Sequence, residues 1–332
     1  MKPYIAEPYK IRKLDIRFDQ LAVADLIESC FGNYLDPDGL TYIKRIRQAA
    51  KDRKSIQWLQ GLNEMVSYPL YGYVCESDQG EIIGNLSLIP YERNGRWIYL
   101  IANVAVAEAW RQKGIAKQLT TIGLSHLSRQ GVQTAWLQVR EDNDAAVILY
   151  QTFGFQEFAR RTTWVKTTAI GERSNHTASD ITIEKRKPKH WLQHAQLLHR
   201  TYPQDVAWNL SLHIRQFSPG ILPSFKSVLM HSELQHLVAK RNQQIVGYAT
   251  WQSRNLFSDS IWLAMYPDHE AEATQPLLQT IEKTIRNKNK PITINYPANR
   301  NIQALSESGY TPLNTLIWMK RPVWKIKENG ED

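Results

Sequence analysis

The chemistry of this chain concentrates in Arg111-Gln112-Lys113-Gly114-Ile115-Ala116, two cations and a glycine just ahead of a small residue. The stretch follows an apolar run, Ile98 to Val106, that reads as a buried strand. Beyond it, Ile115, Leu119, Ile122, Leu124 and Leu127 mark the apolar face of a helix starting near Gly114. The first N–H groups of a helix have no intrahelical partner, and the helix dipole adds partial positive charge at the same place. Gly114 lets a ligand approach the backbone closely. A strand, a small-residue turn and a helix N-terminus in this order make a pyrophosphate cradle. An ordinary strand–helix turn has the same local pattern.

A second group follows, Asn143-Asp144-Ala145-Ala146-Val147-Ile148-Leu149-Tyr150-Gln151-Thr152-Phe153-Gly154-Phe155, read as a short helix closed by Gly154 and leading into a strand. Arg111-x-x-Gly114-x-Ala116 after a Val-Ala-Val strand, followed by Asn143, Tyr150 and Gly154-Phe155, resembles the GNAT superfamily of N-acetyltransferases. The resemblance spans residues 8 to 168. It implies a twisted, splayed mixed sheet flanked by helices and acetyl-CoA as cosubstrate. Pantetheine would lie along the main chain of Val104, Ala105 and Val106, with the Val106 N–H facing the thioester carbonyl. The pyrophosphate would take N–H groups from Gln112, Lys113, Gly114, Ile115 and Ala116, with charge from Arg111 or Lys113. Asn143 would hydrogen-bond the cosubstrate, though its type and place also suit a helix N-cap. Tyr150 would be the acid that protonates the departing thiolate; a core tyrosine at helical spacing is the plainer alternative.

An alkylammonium of pKa about 10 must lose a proton before it attacks a thioester. GNAT enzymes often use a strand glutamate for this, and Ile98 to Val106 carries no carboxylate. Glu141 is the candidate replacement, and it equally fits a solvated loop acid. Asp36 and Asp38 could attract a cationic acceptor, or serve a turn or cap.

The 332 residues suggest two domains, each able to bury a core. No apolar run approaches the roughly 20 residues of a membrane span, and Met1 to Lys10 lacks a signal-peptide core. Cys30 and Cys75 form no metal or redox spacing, so a reduced cytoplasm and no metal are expected. The net charge of +9 brings nucleic acid to mind, through Lys44, Arg45, Arg47, Lys51, Arg53 and Lys54. With Ile43, Ile46 and Ala50 as a buried side, the preferred reading is the solvated face of a helix.

The second half repeats the first. Strands at Ile181 to Lys185, Leu237 to Lys240, Gln244 to Trp251, Ser260 to Tyr266, Ile292 to Tyr296 and Leu316 to Lys320 alternate with helices at Pro188 to Leu198, Glu270 to Arg286 and Asn299 to Ser308. Its cradle becomes Pro267-Asp268-His269-Glu270-Ala271-Glu272-Ala273, without glycine and with three acids that would oppose a pyrophosphate. Leu305 stands where Tyr150 stood. The expected organisation is therefore an α/β pair of tandem GNAT-like domains: residues 1–168 carry the chemistry, 169–179 form a linker, and 180–332 are a degenerate copy whose sheet Leu316 to Lys320 closes.

The function expected is direct acetyl transfer from acetyl-CoA to a primary amine of a small molecule. Leu137-Gln138-Val139-Arg140 and Arg160-Arg161 look like enzymes that acetylate ribosomal-protein N-termini, so a peptide N-terminus is an alternative acceptor. A non-catalytic acyl-CoA sensor is a second alternative. Either a monomer or a homodimer fits.

Overall fold

The computed structural model describes residues 8–35, 39–40, 43–44, 46–48, 71–93, 96–167, 180–210, 212–220, 233–253, 258–285 and 290–323. The expected linker 169–179, Asp36, Asp38, Arg45, Lys51, Arg53 and Lys54 lie outside them. In chain order the elements are β1 (Tyr9–Lys13), α1 (Gln20–Phe31), β2 (Tyr71–Ser77), β3 (Ile82–Arg93), β4 (Arg96–Val106), α2 (Ile115–Arg129), β5 (Thr134–Arg140), α3 (Asp144–Thr152) and β6 (Gln156–Lys166). There follow β7 (Ile181–Lys185), α4 (Trp191–Thr201), α5 (Gln204–Ala207), β8 (Leu234–Arg241), β9 (Gln244–Gln252), β10 (Asp259–Met265), α6 (Glu270–Thr284), β11 (Ile292–Pro297), α7 (Ile302–Glu307) and β12 (Thr311–Pro322).

The chain divides into two compact units. One is built from residues through Leu35, Gly39–Phe158 and Leu316–Asp332; the other is built chiefly from Ala159–Thr315. In the first unit, β1 to β4 form an antiparallel meander and β5 joins β4 in parallel. The end of β12 then pairs antiparallel with β5, from Leu316 opposite Arg140 to Pro322 opposite Thr134. The second unit has the same plan. Strands β7 to β10 run antiparallel, β11 joins β10 in parallel, and β6 pairs antiparallel with β11.

This differs from the expected division at 169–179. The strand after Gly154-Phe155 was expected to finish the N-terminal sheet, and Leu316 to Lys320 the C-terminal one; each instead completes the other's sheet. The reason is side-chain fit. Ile317 and Met319 are buried in the core shared by α2, β5 and β3, whereas Trp164 is buried with Ile292, Ile294 and the apolar face of α6. Neither strand alternates strictly, so pattern alone does not assign either to a sheet.

Two layers cover the first sheet. Ile115, Leu119 and Leu127 of α2 pack on Cys75, Ile83, Leu86, Leu137 and Val139. Val23, Ala24 and Ile27 of α1 pack on Val74 together with Ile43 and Ile46. Ile43 and Ile46 are therefore the buried side expected for the basic segment. Its Arg47 pairs with Asp25 and Glu28 of α1, which neutralises part of the positive face proposed for nucleic acid. Gly84 permits the close seat of α2, since a Cβ there would stand 3.0 Å from Ile115 Cγ2.

In the second unit, α4 covers a polar interior. His194 is fully buried, stacks 4.5 Å from Tyr248, and accepts a 3.0 Å hydrogen bond from Arg186 at Nδ1. His236, bonded to Thr250 Oγ1 at 2.9 Å, lies edge-on to it. Desolvation, then Arg186, hold His194 well below the usual imidazole range. Desolvation, then Arg186 and Lys185, bring His236 down to about 3.

Two outcomes follow from this packing. Met319→Ala, near the chain's end, should cost roughly 2–5 kcal/mol and be felt in the first unit, read as faster amide exchange across Thr134–Arg140. Because the folded state holds His194 and His236 neutral, their contribution to stability is complete above pH ~6.5. It falls by roughly 1.4 kcal/mol per pH unit for each histidine as acid protonates the unfolded chain first. Urea denaturation between pH 7 and pH 5 should show that loss, and His236→Gln should flatten it.

Candidate active site

The site begins with a defect in β4. Against β3 the register runs Asn85 opposite Ala105 and then Ser87 opposite Ala102, so Asn103 and Val104 face the single residue Leu86. Asn103 takes a left-handed backbone, φ 51°. Asparagine tolerates that region better than other side-chain-bearing residues, and a residue in it bends the strand at a bulge. Three polar side chains hold the bend. Asn85 Nδ2 donates to the Asn103 carbonyl at 2.9 Å and to Ser87 Oγ at 3.2 Å, and Asn103 Nδ2 donates to the same Ser87 Oγ at 3.3 Å. Asn85 and Ser87 are fully buried, so these bonds form away from water, where a missing partner would be costly.

The bend opens the sheet. Parallel pairing of β4 with β5 covers Tyr99–Ala135, Leu100–Trp136 and Ile101–Leu137, and stops there, although both strands continue. Ala102 to Val106 and Gln138 to Arg140 therefore diverge. Val104 and Val106, expected to carry the pantetheine, stand half-buried on the divergent part, with Ala105 buried beneath.

Beyond Val106 the chain makes the turn that the sequence singled out. Gln112 has φ 63° and Gly114 φ 80°, and Gly114 is the N-cap of α2. Alternating left-handed positions of this kind turn successive N–H groups toward one concavity. No side chain caps α2 and no acid stands in its first turn, so the dipole end is left for an outside anion. A Cβ placed on Gly114 would meet nothing within 4 Å; the space before the helix is open. Arg111, Gln112, Lys113 and Gly114 are exposed, Ala116 is half-buried and Ile115 is buried in the core. These features fit a pyrophosphate-bearing molecule.

The two cations, either of which is expected to add charge at the phosphates, are held in different ways. Arg111 folds back, its Nε donating to the Val106 carbonyl at 3.2 Å and its Nη2 lying 3.9 Å from Cys30 Sγ. Lys113 rests over the Trp110 ring at 4.4 Å. Tyr9 of β1 braces the turn, packing edge-on against Trp110, donating to the Lys113 carbonyl at 3.4 Å and accepting from Gln118 at 3.0 Å.

Asn143 is the N-cap of α3, its Oδ1 accepting from the Ala146 N–H at 3.2 Å. Tyr150 is buried in the same apolar cluster that Val104 and Val106 pack against, edge-on to Phe155. Burial pushes its phenol well above the ordinary range, so it holds its proton at neutral pH. Glu141 is exposed on the turn between β5 and α3. The structure thus packs Val104, Val106 and Tyr150 with one apolar cluster and leaves Glu141 on the surface.

Sequence reasoning missed Asn85, Ser87, Tyr9 and Tyr34. Polar Asn85 and Asn103 inside otherwise apolar strands were the available signal for the first two. Tyr34 had none, since its ring meets Arg140 at 3.2 Å only after folding. Arg161, one of two arginines first associated with a peptide acceptor, belongs elsewhere. It is buried in the second unit, where Nη1 donates to the Thr201 carbonyl at 3.0 Å and Nη2 to the Asn295 carbonyl at 3.2 Å.

The second unit's strands part in the same way, β10 and β11 pairing only at Asp259–Ile292 and Ser260–Thr293. Its β10 carries no bulge against β9. Arg161, on β6, reaches Asn295 on the divergent part of β11, with its charge 4.9 Å from the Tyr202 ring. The α6 N-terminus is met by its own acids. Glu270 accepts from Tyr296 at 2.8 Å and from Arg300, and Glu272 pairs with Arg241 at 3.0 Å. The opposition expected from this acidic turn therefore has a structural counterpart.

Comparison with known proteins agrees with this geometry. Residues 40–155 match the model of the acetyltransferase (GNAT) family. A mycothiol acetyltransferase of Streptomyces griseus is 28% identical over 155 residues, 46% of this chain and 45% of the relative. A ribosomal-protein-alanine N-acetyltransferase of Escherichia coli is 36% identical over 66 residues, 20% of this chain and 45% of the relative. The match thus spans about half the length of either relative. Among solved structures, a GCN5-related N-acetyltransferase from Sphaerobacter thermophilus superposes with a TM-score of 0.59 at 14% identity, covering 96% of this chain and 97% of the other. A tandem GNAT protein from the clavulanic acid biosynthesis pathway does so with a TM-score of 0.51 at 11% identity, covering 98% and 100%. The bulged and divergent strand and the uncapped helix behind Gly114 both lie within residues 40–155, the part of the chain that matches the model of the acetyltransferase (GNAT) family.

Proposed function

We propose that the first unit transfers an acetyl group from acetyl-CoA directly to the primary amine of a small molecule. The observation that carries this reading is the continuous path from the divergent part of β4 to the open, uncapped start of α2. Acetyl-CoA would supply an electrophilic thioester carbon. Its pyrophosphate would be held by N–H groups of Gln112 to Ala116, and its pantetheine amides by the main chain of Val104 to Val106. The Val106 N–H would stabilise the oxyanion, a contribution of roughly 3 kcal/mol per donor in other enzymes. Arg111 would release the Val106 carbonyl as pantetheine arrives.

The acceptor nitrogen attacks the thioester carbon, the C–S bond breaks, and the thiolate takes the Tyr150 proton. A phenol whose proton is held firmly by burial arrives charged with it at neutral pH. The base is unassigned on β4, which has no carboxylate; Glu141 remains the candidate, acting through water. A small-molecule acceptor is favoured by the longer match to the mycothiol acetyltransferase, and a peptide N-terminus by the higher identity over 66 residues to the ribosomal-protein enzyme. A non-catalytic acyl-CoA sensor would bind without releasing thiol. We place the function in the first unit, in the cytoplasm, with the second unit as a degenerate copy.

Gly114→Glu puts a carboxylate where the phosphates would lie, and acetyl-CoA affinity by calorimetry should fall at least 100-fold. Unchanged affinity would locate the cradle elsewhere. Tyr150→Phe should lower thiol release by about 10- to 100-fold, in the range of general-acid contributions, while acetyl-CoA still binds; equal turnover would remove Tyr150 from the mechanism.

A further inference from the structure

In the second unit, β10 and β11 part with main chain still turned toward main chain. The Asp259 N–H donates to the Pro291 carbonyl at 2.8 Å, and Ser260 opposite Thr293 is the last pair. A strand turns N–H and C=O to the same edge at every second residue. Ile261, Leu263 and Met265 therefore address the gap from β10, and Asn295 addresses it from β11. The far edge of β11 agrees. Ala298 donates to the Arg160 carbonyl at 2.9 Å, which puts Asn295 out of phase with the residues bonded to β6.

Two buried side chains reach this gap. Arg161 is 3% exposed and gives Nη2 to the Asn295 carbonyl, Nε to Asn295 Oδ1 and Nη1 to the Thr201 carbonyl. Those bonds use three of the five guanidinium N–H groups. Tyr202 is fully buried, its ring 4.9 Å from the guanidinium carbon. Its hydroxyl makes no hydrogen bond, and the Leu263 N–H is turned toward it. No carboxylate among the described residues pairs with Arg161, and the charge of Arg300 adds to the positive field there. Glu270, whose field reaches Tyr202, is held by Tyr296 at 2.8 Å and by Arg300. A buried cation without a counter-charge is costly. The groups left over are donors: guanidinium N–H, phenol O–H and the Leu263 N–H. Such a set is complementary to an anionic oxygen pair, and one cation matches a monoanion better than a phosphate dianion.

We propose that the parted strands of the second unit hold a carboxylate, bound by the free N–H groups of Arg161, the Tyr202 hydroxyl and the Leu263 N–H. The site lies wholly within that unit, so it stands or falls apart from acetyl transfer in the first. It gives the degenerate copy a ligand of its own, smaller and of lower charge than one carrying a pyrophosphate. A ligand that binds only the folded chain raises its stability as concentration rises, which makes the site measurable without any enzymatic activity.

The test titrates the full chain at pH 7 with sodium acetate, chloride or phosphate at matched ionic strength. The local readout is the amide resonance of Leu263; the global one is the urea midpoint. Acetate should shift the Leu263 resonance saturably and raise the midpoint. Chloride should need at least tenfold higher concentration for the same shift, and phosphate should leave the resonance in place. Arg161→Gln should abolish the acetate response. Tyr202→Phe, which removes one oxygen from an otherwise unchanged ring, should weaken it at least fivefold and serves alone if Arg161→Gln does not fold. An unmoved Leu263 resonance in acetate would make Arg161 a cation satisfied by carbonyls and a ring, and would overturn the proposal. An equal response to chloride, or a response undiminished in Tyr202→Phe, would overturn it as well.

Discussion

The divergence of β4 from β5 is the constraint on which the site depends. A sheet interior normally pairs every backbone N–H and C=O, and a buried group without a partner is costly. Here pairing stops at Ile101 while both strands run on. What makes the opening stable is the bulge beside it: Asn103 in a left-handed conformation, tied by Asn85 and Ser87. The strain of that backbone is offset by three hydrogen bonds, one buried and two half-buried. The main chain beyond the bulge is left facing a gap that a ligand with amides of its own can fill.

The second unit shows the same parting of strands put to another use. Without a bulge, its gap borders Arg161, whose guanidinium donates to neutral oxygens of Thr201 and Asn295. Desolvation lowers its pKa only to about 10, so the guanidinium stays charged. Where the first unit offers bare N–H groups at α2, the second closes the start of α6 with Glu270 and Glu272, favourable partners for that dipole end. One topology thus has two electrostatic finishes, set by a handful of residues at one turn.

Much of this was legible in the sequence. The spacing from Val104 through Ala116, and from Asn143 to Phe155, named the family and the cradle because those positions obey local rules: a positive φ, a helix start, a cap. The pairing partners of Trp164 and Met319 were not legible. A strand's neighbour is decided by distant side chains rather than by its own pattern. Arg161 misled for a similar reason. Arg160-Arg161 resembles enzymes that acetylate ribosomal-protein N-termini, and only burial among Thr201, Tyr202 and Asn295 reveals Arg161 as a structural cation. The bulge falls between these cases, since Asn85 and Asn103 were visible as polar interruptions but their meeting was not.

The strand exchange bears on how the molecule is made. A ribosome delivers β1 to β5 long before it delivers Leu316–Pro322, so the nascent first unit waits with the edge of β5 open. An unpaired edge recruits other strands, and β6, the next strand off the ribosome, is near at hand. Biogenesis therefore includes a choice between neighbour and latecomer, and translation speed or a chaperone at that edge would influence how many chains reach the arrangement described above.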